Sequence, residues 1–363
     1  MAVNRLTKMT LLAENRHHDS LLKSLQRFQS VEIEDIFENQ ENQEWLEAYF
    51  PALEEVDQTK EQLYVQWLHQ IEKSIVFIRD NGSVKQKIKD LPRKSYTLNE
   101  LEARFNEEAL VSLLNQVAQL QKSWDENTKK LTYWQQAEDW ANQWLQYDVS
   151  PTEQLDSAKT VQAKVAAESW ETVETYLMEQ KDVYYELNYS SEKEIKFSFI
   201  ALNERAVTVQ AELITFGVSI EQNPYDESPA TLLPKAKKAL KECVETSKAL
   251  TSEIGYLKGQ VSILQLNEEV LLARLTRERA KEHLVLAKYL VVIRAWVNEE
   301  DQELLMNQLQ AEHDQALFFS FESPTKEQIM ENKVPTKLRN NRFVSPFEIL
   351  TGMYSVPNYE ALD

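Results

Sequence analysis

Residue types that could carry covalent or metal chemistry are few in this chain and poorly spaced for it. Histidine occurs five times. The one adjacent pair, His17 and His18, lies in a helical pattern that points neighbouring side chains about 100° apart. Two rings so arranged cannot easily clasp one tetrahedral metal ion. Cys243 is the sole cysteine; it falls on an apolar helical seam, where a thiol acts as a small core residue rather than a nucleophile. Five glycines cannot build a phosphate-cradling loop, and Gly255 and Gly259, four apart in a helix pattern, suggest a close approach of two helices instead. The 59 acidic residues spread over helix faces as solvated surface, and no acid–base pair stands out. The expectation is a non-catalytic chain without cofactor or metal.

The elements that would position any site follow from composition and pattern. A length of 363 residues suffices for two or three domains. Only 5 Gly and 10 Pro leave too few turn residues for a strand-and-turn protein, so long helices must dominate. A net charge of -19 argues against nucleic acid, which requires a basic field. The single cysteine excludes a disulfide framework and fits a reducing compartment. The opening residues show no signal peptide, and no run of about 18 apolar residues is present to span a bilayer, so the chain is expected to be soluble and cytosolic.

The pattern along the chain suggests elements that alternate in kind. Residues 5–13 suggest a strand with Met9 and Leu11 on one face. Leu21, Leu22, Leu25 and Phe28 recur at helical spacing, and Val31, Ile33 and either Ile36 or Phe37 alternate again. After a polar stretch at 38–44, Tyr64, Trp67, Leu68, Ile71, Ile75 and Ile78 mark one side of a helix that "DNGS" at 80–83 stops. "TLNE" at 97–100 is a capping box. A first heptad seam then runs Leu110, Leu113, Val117, Leu120, Trp124, Asn127, Leu131, Trp134, Glu138, Ala141 and Leu145, with Asn127 as a register-fixing polar position. It stops near residues 148–152. A second runs Leu240, Cys243, Ser247, Leu250, Ile254, Leu257, Val261, Leu264, Glu268, Leu271 and Leu275. Each is a rod with one apolar seam and needs a partner helix.

Between the seams, residues 160–223 alternate and repeat in the order β-α-β-β-α-β, the ferredoxin-like arrangement. Beyond the second seam, residues 288–297 suggest a strand, Asn298 an N-cap, residues 298–310 a helix and 316–323 a strand. This second βαβ unit joins the one at the N-terminus as another lobe of the same plan. The expected fold is α+β and mostly helical: a long antiparallel coiled-coil hairpin, on the order of 75 Å, with a ferredoxin-like lobe at each end, like a dumbbell. The expected domains are 1–50 with 288–330 as a split proximal lobe, 51–152 with 231–287 as the rod, 153–230 as a distal lobe, and 331–363 as a basic segment. In the distal lobe, Trp170, Tyr176, Tyr184, Tyr185, Phe197 and Phe199 divide between core and a docking face for partners. The seam residues most needed for the rod are Leu113, Leu120, Trp124, Leu131, Leu250, Ile254, Leu257, Val261 and Leu264.

The last thirty residues carry the most specific signal. Pro335, Thr336, Leu338 and Asn340, then Pro346, Phe347 and Glu348, then Met353, Tyr354, Pro357 and Tyr359 form a sequence that resembles the end of the cytosolic half of subunit I, or subunit a, of rotary V/A-type ATPases. The N-terminal βαβ unit and "IRAWVNEEDQELLMNQL" are similar to the same family, with Ala295, Asn298 and Ser355 replacing its usual Gly, Pro and Gly. The resemblance implies a non-catalytic stator arm whose membrane domain lies beyond Asp363. It implies peripheral-stalk heterodimers as partners, with a central-stalk or rotor-cap subunit as another contact. Lys333, Lys337, Arg339 and Arg342 would then lie at the cytoplasmic membrane surface, where cationic residues are favoured; the plainer reading is a solvated basic loop. A monomer is expected. The competing reading is a free-standing coiled-coil scaffold or adaptor that dimerises through its seams, and a weaker one is an enzyme that uses the distal lobe as a small-molecule sensor.

Overall fold

The computed structural model describes residues 2–3, 5–28, 31–38, 45–46, 48–50, 52–82, 96–147, 157–313, 317–325 and 338–339. Residues 39–44 of the expected polar stretch, residues 83–95 ahead of the capping box, the end of the first seam at 148–152 and most of the C-terminal motifs lie outside these residues. So do Lys333, Lys337 and Arg342. The chain divides into two compact units: Met1–Val76, Gln86–Val111 and Gly259–Asp363 form the first, and Phe77–Lys85 with Ser112–Lys258 form the second.

In chain order the elements begin with β1 (Ala2–Val3), β2 (Leu6–Glu14), α1 (His18–Arg27), β3 (Val31–Ile33), α2 (Thr59–Asn81), α3 (Leu98–Arg104) and α4 (Glu107–Gln143). There follow β4 (Ala158–Ala166), α5 (Trp170–Glu179), β5 (Tyr184–Ser190), β6 (Glu194–Leu202), α6 (Asn203–Thr215) and β7 (Ser219–Glu221). The chain continues with α7 (Pro229–Tyr256), α8 (Gln260–Ala280), β8 (Val285–Leu286), β9 (Leu290–Asn298), α9 (Gln302–Glu312), β10 (Phe318–Glu322) and β11 (Leu338–Arg339).

The first unit is organised by one strand pairing. β2 and β9 run antiparallel in register from Leu6↔Asn298 to Glu14↔Leu290. This sets Met9 opposite Ala295, Leu11 opposite Ile293 and Ala13 opposite Val291, all buried. They form one core with Leu21, Leu22 and Leu25 of α1 and Leu305 and Leu309 of α9. The other face is covered too, where Val292 clusters with Ile36, Leu46 and Val285. Burial on both faces explains why β9 is almost continuously apolar in sequence. The strand order is β10-β2-β9-β3 with β8 beside β9, all antiparallel. This is the split βαβ arrangement expected from the pattern.

A charged node ties three helices of this unit together. The Glu102 carboxylate on α3 accepts from Arg274 at 2.6 Å and from Arg277 at 2.5 Å, both on α8. Burial raises the Glu102 carboxyl, but the two guanidinium hydrogen bonds outweigh it and hold the group below the usual range. Arg277 also donates to Gln26 Oε1 of α1 at 3.0 Å, while Gln26 Nε2 donates to the Ala273 carbonyl at 2.9 Å. Arg274 lies 4.0 Å above the Phe105 ring. The capping box of α3 forms as expected: Thr97 N donates to Glu100 Oε2 at 2.8 Å and Glu100 N to Thr97 Oγ1 at 3.3 Å.

The second unit has a sheet of the same plan, ordered β5-β6-β4-β7 and antiparallel throughout. Val161, Ala163, Val165, Phe197 and Phe199 form its core under Val173 and Leu177 of α5 and Val209 and Leu213 of α6. Gly217, at φ +83°, ends α6: its N–H and that of Val218 close back on the carbonyls of Ile214 and Leu213, a turn that a left-handed residue permits.

Several expectations need correction. The second long rod is interrupted, because a tight 3-10 turn at Leu257–Gly259 separates α7 from α8. The first seam ends on the buried Trp144; Leu145, the expected position, is exposed, since the chain leaves the helix after Gln143. β3 stops at Ile33, and Ile36 is buried from a turn. The final helix starts at Gln302 after a 3-10 turn at Glu299–Asp301, so Asn298 precedes that turn, with Nδ2 donating to Asp301 at 2.9 Å. The close approach is made by Gly82: a Cβ there would meet the Ile78 carbonyl at 2.6 Å and Ile254 Cγ2 at 3.1 Å. Gly255 faces the Gly82 carbonyl at an ordinary 3.8 Å, and Gly259 faces open space.

Ile293 is at the centre of the β2–β9 pairing and fully buried. Ile293→Ala is expected to cost about 2–5 kcal/mol in denaturant unfolding. Tyr289→Ala, at a site 75% exposed, should stay within about 0.5 kcal/mol.

Candidate functional site

Among the described residues there is no cluster of His, Cys, Asp and Glu able to hold a metal, and no helix is long and apolar enough to cross a membrane. The specific features of the second unit are its helix pair and its sheet.

Asn127 on α4 is buried and donates from Nδ2 to the Cys243 carbonyl at 3.0 Å and to Ser247 Oγ at 2.8 Å, both on α7. Further along α4, Ala137 and Ala141 share a cluster with Leu232 and Ala236, which lie earlier on α7. As one helix number rises the other falls, so α4 and α7 run antiparallel here. The three alanines let the helices approach closely, and Trp134, Trp140 and Tyr225 pack around them. An amide inside an apolar seam is satisfied at one register only, so a slip by one turn leaves a buried polar group without its partners.

The expected seam residues vary in burial. Leu113, Leu250, Ile254, Leu257 and Leu264 are buried, whereas Leu120, Trp124, Leu131 and Val261 are half-buried. Leu113 to Leu131 and Leu250 to Leu257 belong to the second unit, Val261 and Leu264 to the first.

The six aromatics named for the distal lobe separate into three groups. Phe197 and Phe199 are buried in the sheet core, so they cannot form part of a docking face; the register of β6 points them under the helices. Trp170 and Tyr176 are half-buried against the same core, with Trp170 5.1 Å from the Phe197 ring centroid. Tyr185 is half-buried as well, and Tyr184 is exposed and donates to Glu186 at 2.8 Å. Burial, with the hydrogen bond to Glu212, pushes the Tyr176 phenol up to about 12. Arg205 on α6 meets Asp182 at 3.0 Å and donates to Gln180, both just past the end of α5, so these contacts tie the end of α5 to α6.

A polar cluster on the opposite face of this sheet was not expected from the sequence. Glu221 on β7 accepts from Lys164 at 2.9 Å and Lys196 at 3.2 Å. Burial raises the Glu221 carboxyl, yet the hydrogen bonds from Lys164 and Lys196 bring it below the usual range. Lys196 is buried, with Nζ 5.8 Å from the centroid of the Trp144 ring. The i, i+4 pair Trp140 and Trp144 near the end of α4 was the available signal, but nothing local told which Trp would meet a lysine. Of the expected basic residues, Arg339 lies in β11, whose backbone pairs with β1 at Ala2↔Arg339.

No protein-family model matches the chain. Similar sequences are the A-type ATP synthase subunit I of Pyrococcus horikoshii, 27% identical over 171 residues, and that of Pyrococcus abyssi, 28% identical over 171 residues. The subunit I of Methanocaldococcus jannaschii is 27% identical over 172 residues. These stretches cover 45%, 45% and 46% of this chain, and about a quarter of each relative. A crystal structure of the cytoplasmic N-terminal domain of subunit I, homolog of subunit a, of V-ATPase aligns with a TM-score of 0.47 and 13% identity. It covers 87% of this chain and 99% of that one. The resemblance to subunit I drawn from the sequence is borne out by the curated relatives.

The Asn127 contacts give a direct test of the helix pairing. Asn127→Ala should lower stability by about 1–3 kcal/mol, because Ser247 and the Cys243 carbonyl lose their partner in a buried seam. Chemical denaturation monitored by helicity measures it, and an unchanged midpoint would remove the polar lock.

Proposed function

We propose that this chain, similar in sequence to A-type ATP synthase subunit I, is the cytoplasmic stator arm of an ion-translocating rotary ATPase of the V/A type. The sequence similarity carries this reading. The arm is non-catalytic: it links peripheral stalks to the membrane half-channel and keeps that half-channel from turning with the rotor. A member under such load must resist bending and must not slip along its own axis. The α4–α7 pair supports this role, because close alanine packing gives contact along the helices and Asn127 penalises a slip.

The scaffold reading is less well supported. Asn127 finds both of its partners within the same chain, so its seam needs no second copy. In the stator reading the coiled-coil rod is formed by residues 51–152 and 231–287, a proximal lobe by 1–50 with 288–330, and a distal lobe by 153–230. Stalk ends dock on the distal lobe, where Tyr184, Tyr185, Trp170 and Tyr176 provide aromatic surface beside carboxylates. Lys333, Lys337, Arg339 and Arg342 meet anionic headgroups at the cytoplasmic face of the membrane, ahead of a membrane domain that holds the ion pathway. The rotor-cap subunit of the central stalk is a further contact.

Calorimetric titration of the chain with the peripheral-stalk heterodimer from the same source tests this. Saturable binding is expected, and removal of residues 158–221 should abolish it. Binding that survives this removal would place the contact elsewhere. No heat at tens of micromolar, with a monomer–dimer equilibrium in sedimentation, would favour the scaffold.

A further inference from the structure

The sheet of the second unit has two unlike faces. One is the apolar core beneath α5 and α6. On the other, the register sets Gln162 of β4 opposite Ser198 of β6 and Glu221 of β7, and Lys164 opposite Lys196. In a two-layer lobe such a face normally meets solvent. Here Gln162, Lys196 and Ser198 are buried, and Trp144 and Tyr147, in the turn that follows α4, lie against this face. Trp144 is fully buried with Lys196 against its ring, and the Tyr147 phenol is hydrogen-bonded to Thr160.

This covering is chemically incomplete. Among the described residues, Trp144 Nε1 and Gln162 Nε2 are buried donors without a hydrogen-bond partner. Both amide atoms of Asn188 are in the same condition, and Asn188 occupies the bulge of β5 that the register places beside Lys196. A buried N–H that bonds to nothing is costly, whereas one bonded to ordered water costs little. The partner required must accept from an indole and a carboxamide and pass its own hydrogens on. Acceptors for those hydrogens lie within the cluster: the Glu221 carboxylate, already shared by two lysines, and Ser198 Oγ.

We propose that ordered water fills the layer between the turn that follows α4 and the polar face of this sheet, making the joint a hydrated one. The water accepts from Trp144 and Gln162 and donates to Glu221 and Ser198. Internal waters of this kind typically hold about three hydrogen bonds to groups that would otherwise be unpaired. The ends of the sheet's helices are packed by interdigitated apolar chains, whose shapes fit one way. Water-held contacts can re-form after a small tilt. The second unit thus combines a helix pair locked in register by Asn127 with a wet joint at its end, and this holds whichever machine the chain serves.

The test uses the whole chain with its tryptophan indoles labelled with nitrogen-15, the Trp144 signal being assigned from Trp144→Phe. A cross-peak between the Trp144 indole proton and long-lived water is expected. Gln162→Leu should lower the melting temperature, because the water then loses a donor and Glu221 loses a bridge. Absence of a water cross-peak at Trp144 would overturn the proposal. So would a raised melting temperature in Gln162→Leu, since removing a dry, unpaired donor relieves a penalty. If Gln162→Leu does not fold, the water cross-peak in the unaltered chain decides alone.

Discussion

The pairing of β2 with β9 is the constraint on which the rest of the first unit depends. The hydrogen bond from Thr7 to the Val297 carbonyl joins residues 290 apart. Closing a loop of that size costs on the order of 5 kcal/mol in chain entropy. Burying Met9, Leu11, Ile293 and their neighbours, at about 1.5–3 kcal/mol for each large aliphatic side chain, more than offsets that cost. It also means that no local segment can form this sheet early: its two central strands come from opposite ends of the chain, and everything from α2 to α8 is an excursion between them.

Buried polar contacts then set the geometry that apolar packing leaves free. Asn127 selects the register of α4 on α7, and Glu102 between Arg274 and Arg277 fixes α3 on α8. Removing one member of such a group strands the others, so each contact contributes more to uniqueness than to net stability. The Glu221 contact with Lys164 and Lys196 belongs to the same class, on the polar face of the second sheet.

Much of this fold could be seen in the sequence where the signal is periodic or has an end marker. The Thr97–Glu100 box, the helix stop at residues 80–83 and both β-α-β-β-α-β orders are of this type, because caps and alternation act locally. What was hidden depends on contacts distant in sequence. Leu257, Val261 and Leu264 keep their 3–4 spacing through a 3-10 turn, so periodicity cannot reveal the break there. Phe197 and Phe199 look like surface or core according to which face the helices cover. Gln162, Lys196 and Ser198 read as a solvated sheet face from sequence, whereas all three are buried, with Trp144 against Lys196. Gly82, a helix stop in sequence, turns out to leave no room for a side chain, with Ile254 of α7 facing it. For function, the C-terminal motifs and the curated relatives agree on subunit I, whereas the docking face had to be narrowed.

The measurement that bears most directly on the stator account is the coupling ratio of the assembled machine, ions moved per ATP hydrolysed in sealed vesicles. It would be compared between the natural chain and Ile254→Glu, which puts a charge at a fully buried position of α7. The account predicts that hydrolysis continues while ion transport per ATP falls, because the half-channel is no longer held against the rotor. A variant complex that assembles with the arm present and keeps its full coupling ratio would contradict it.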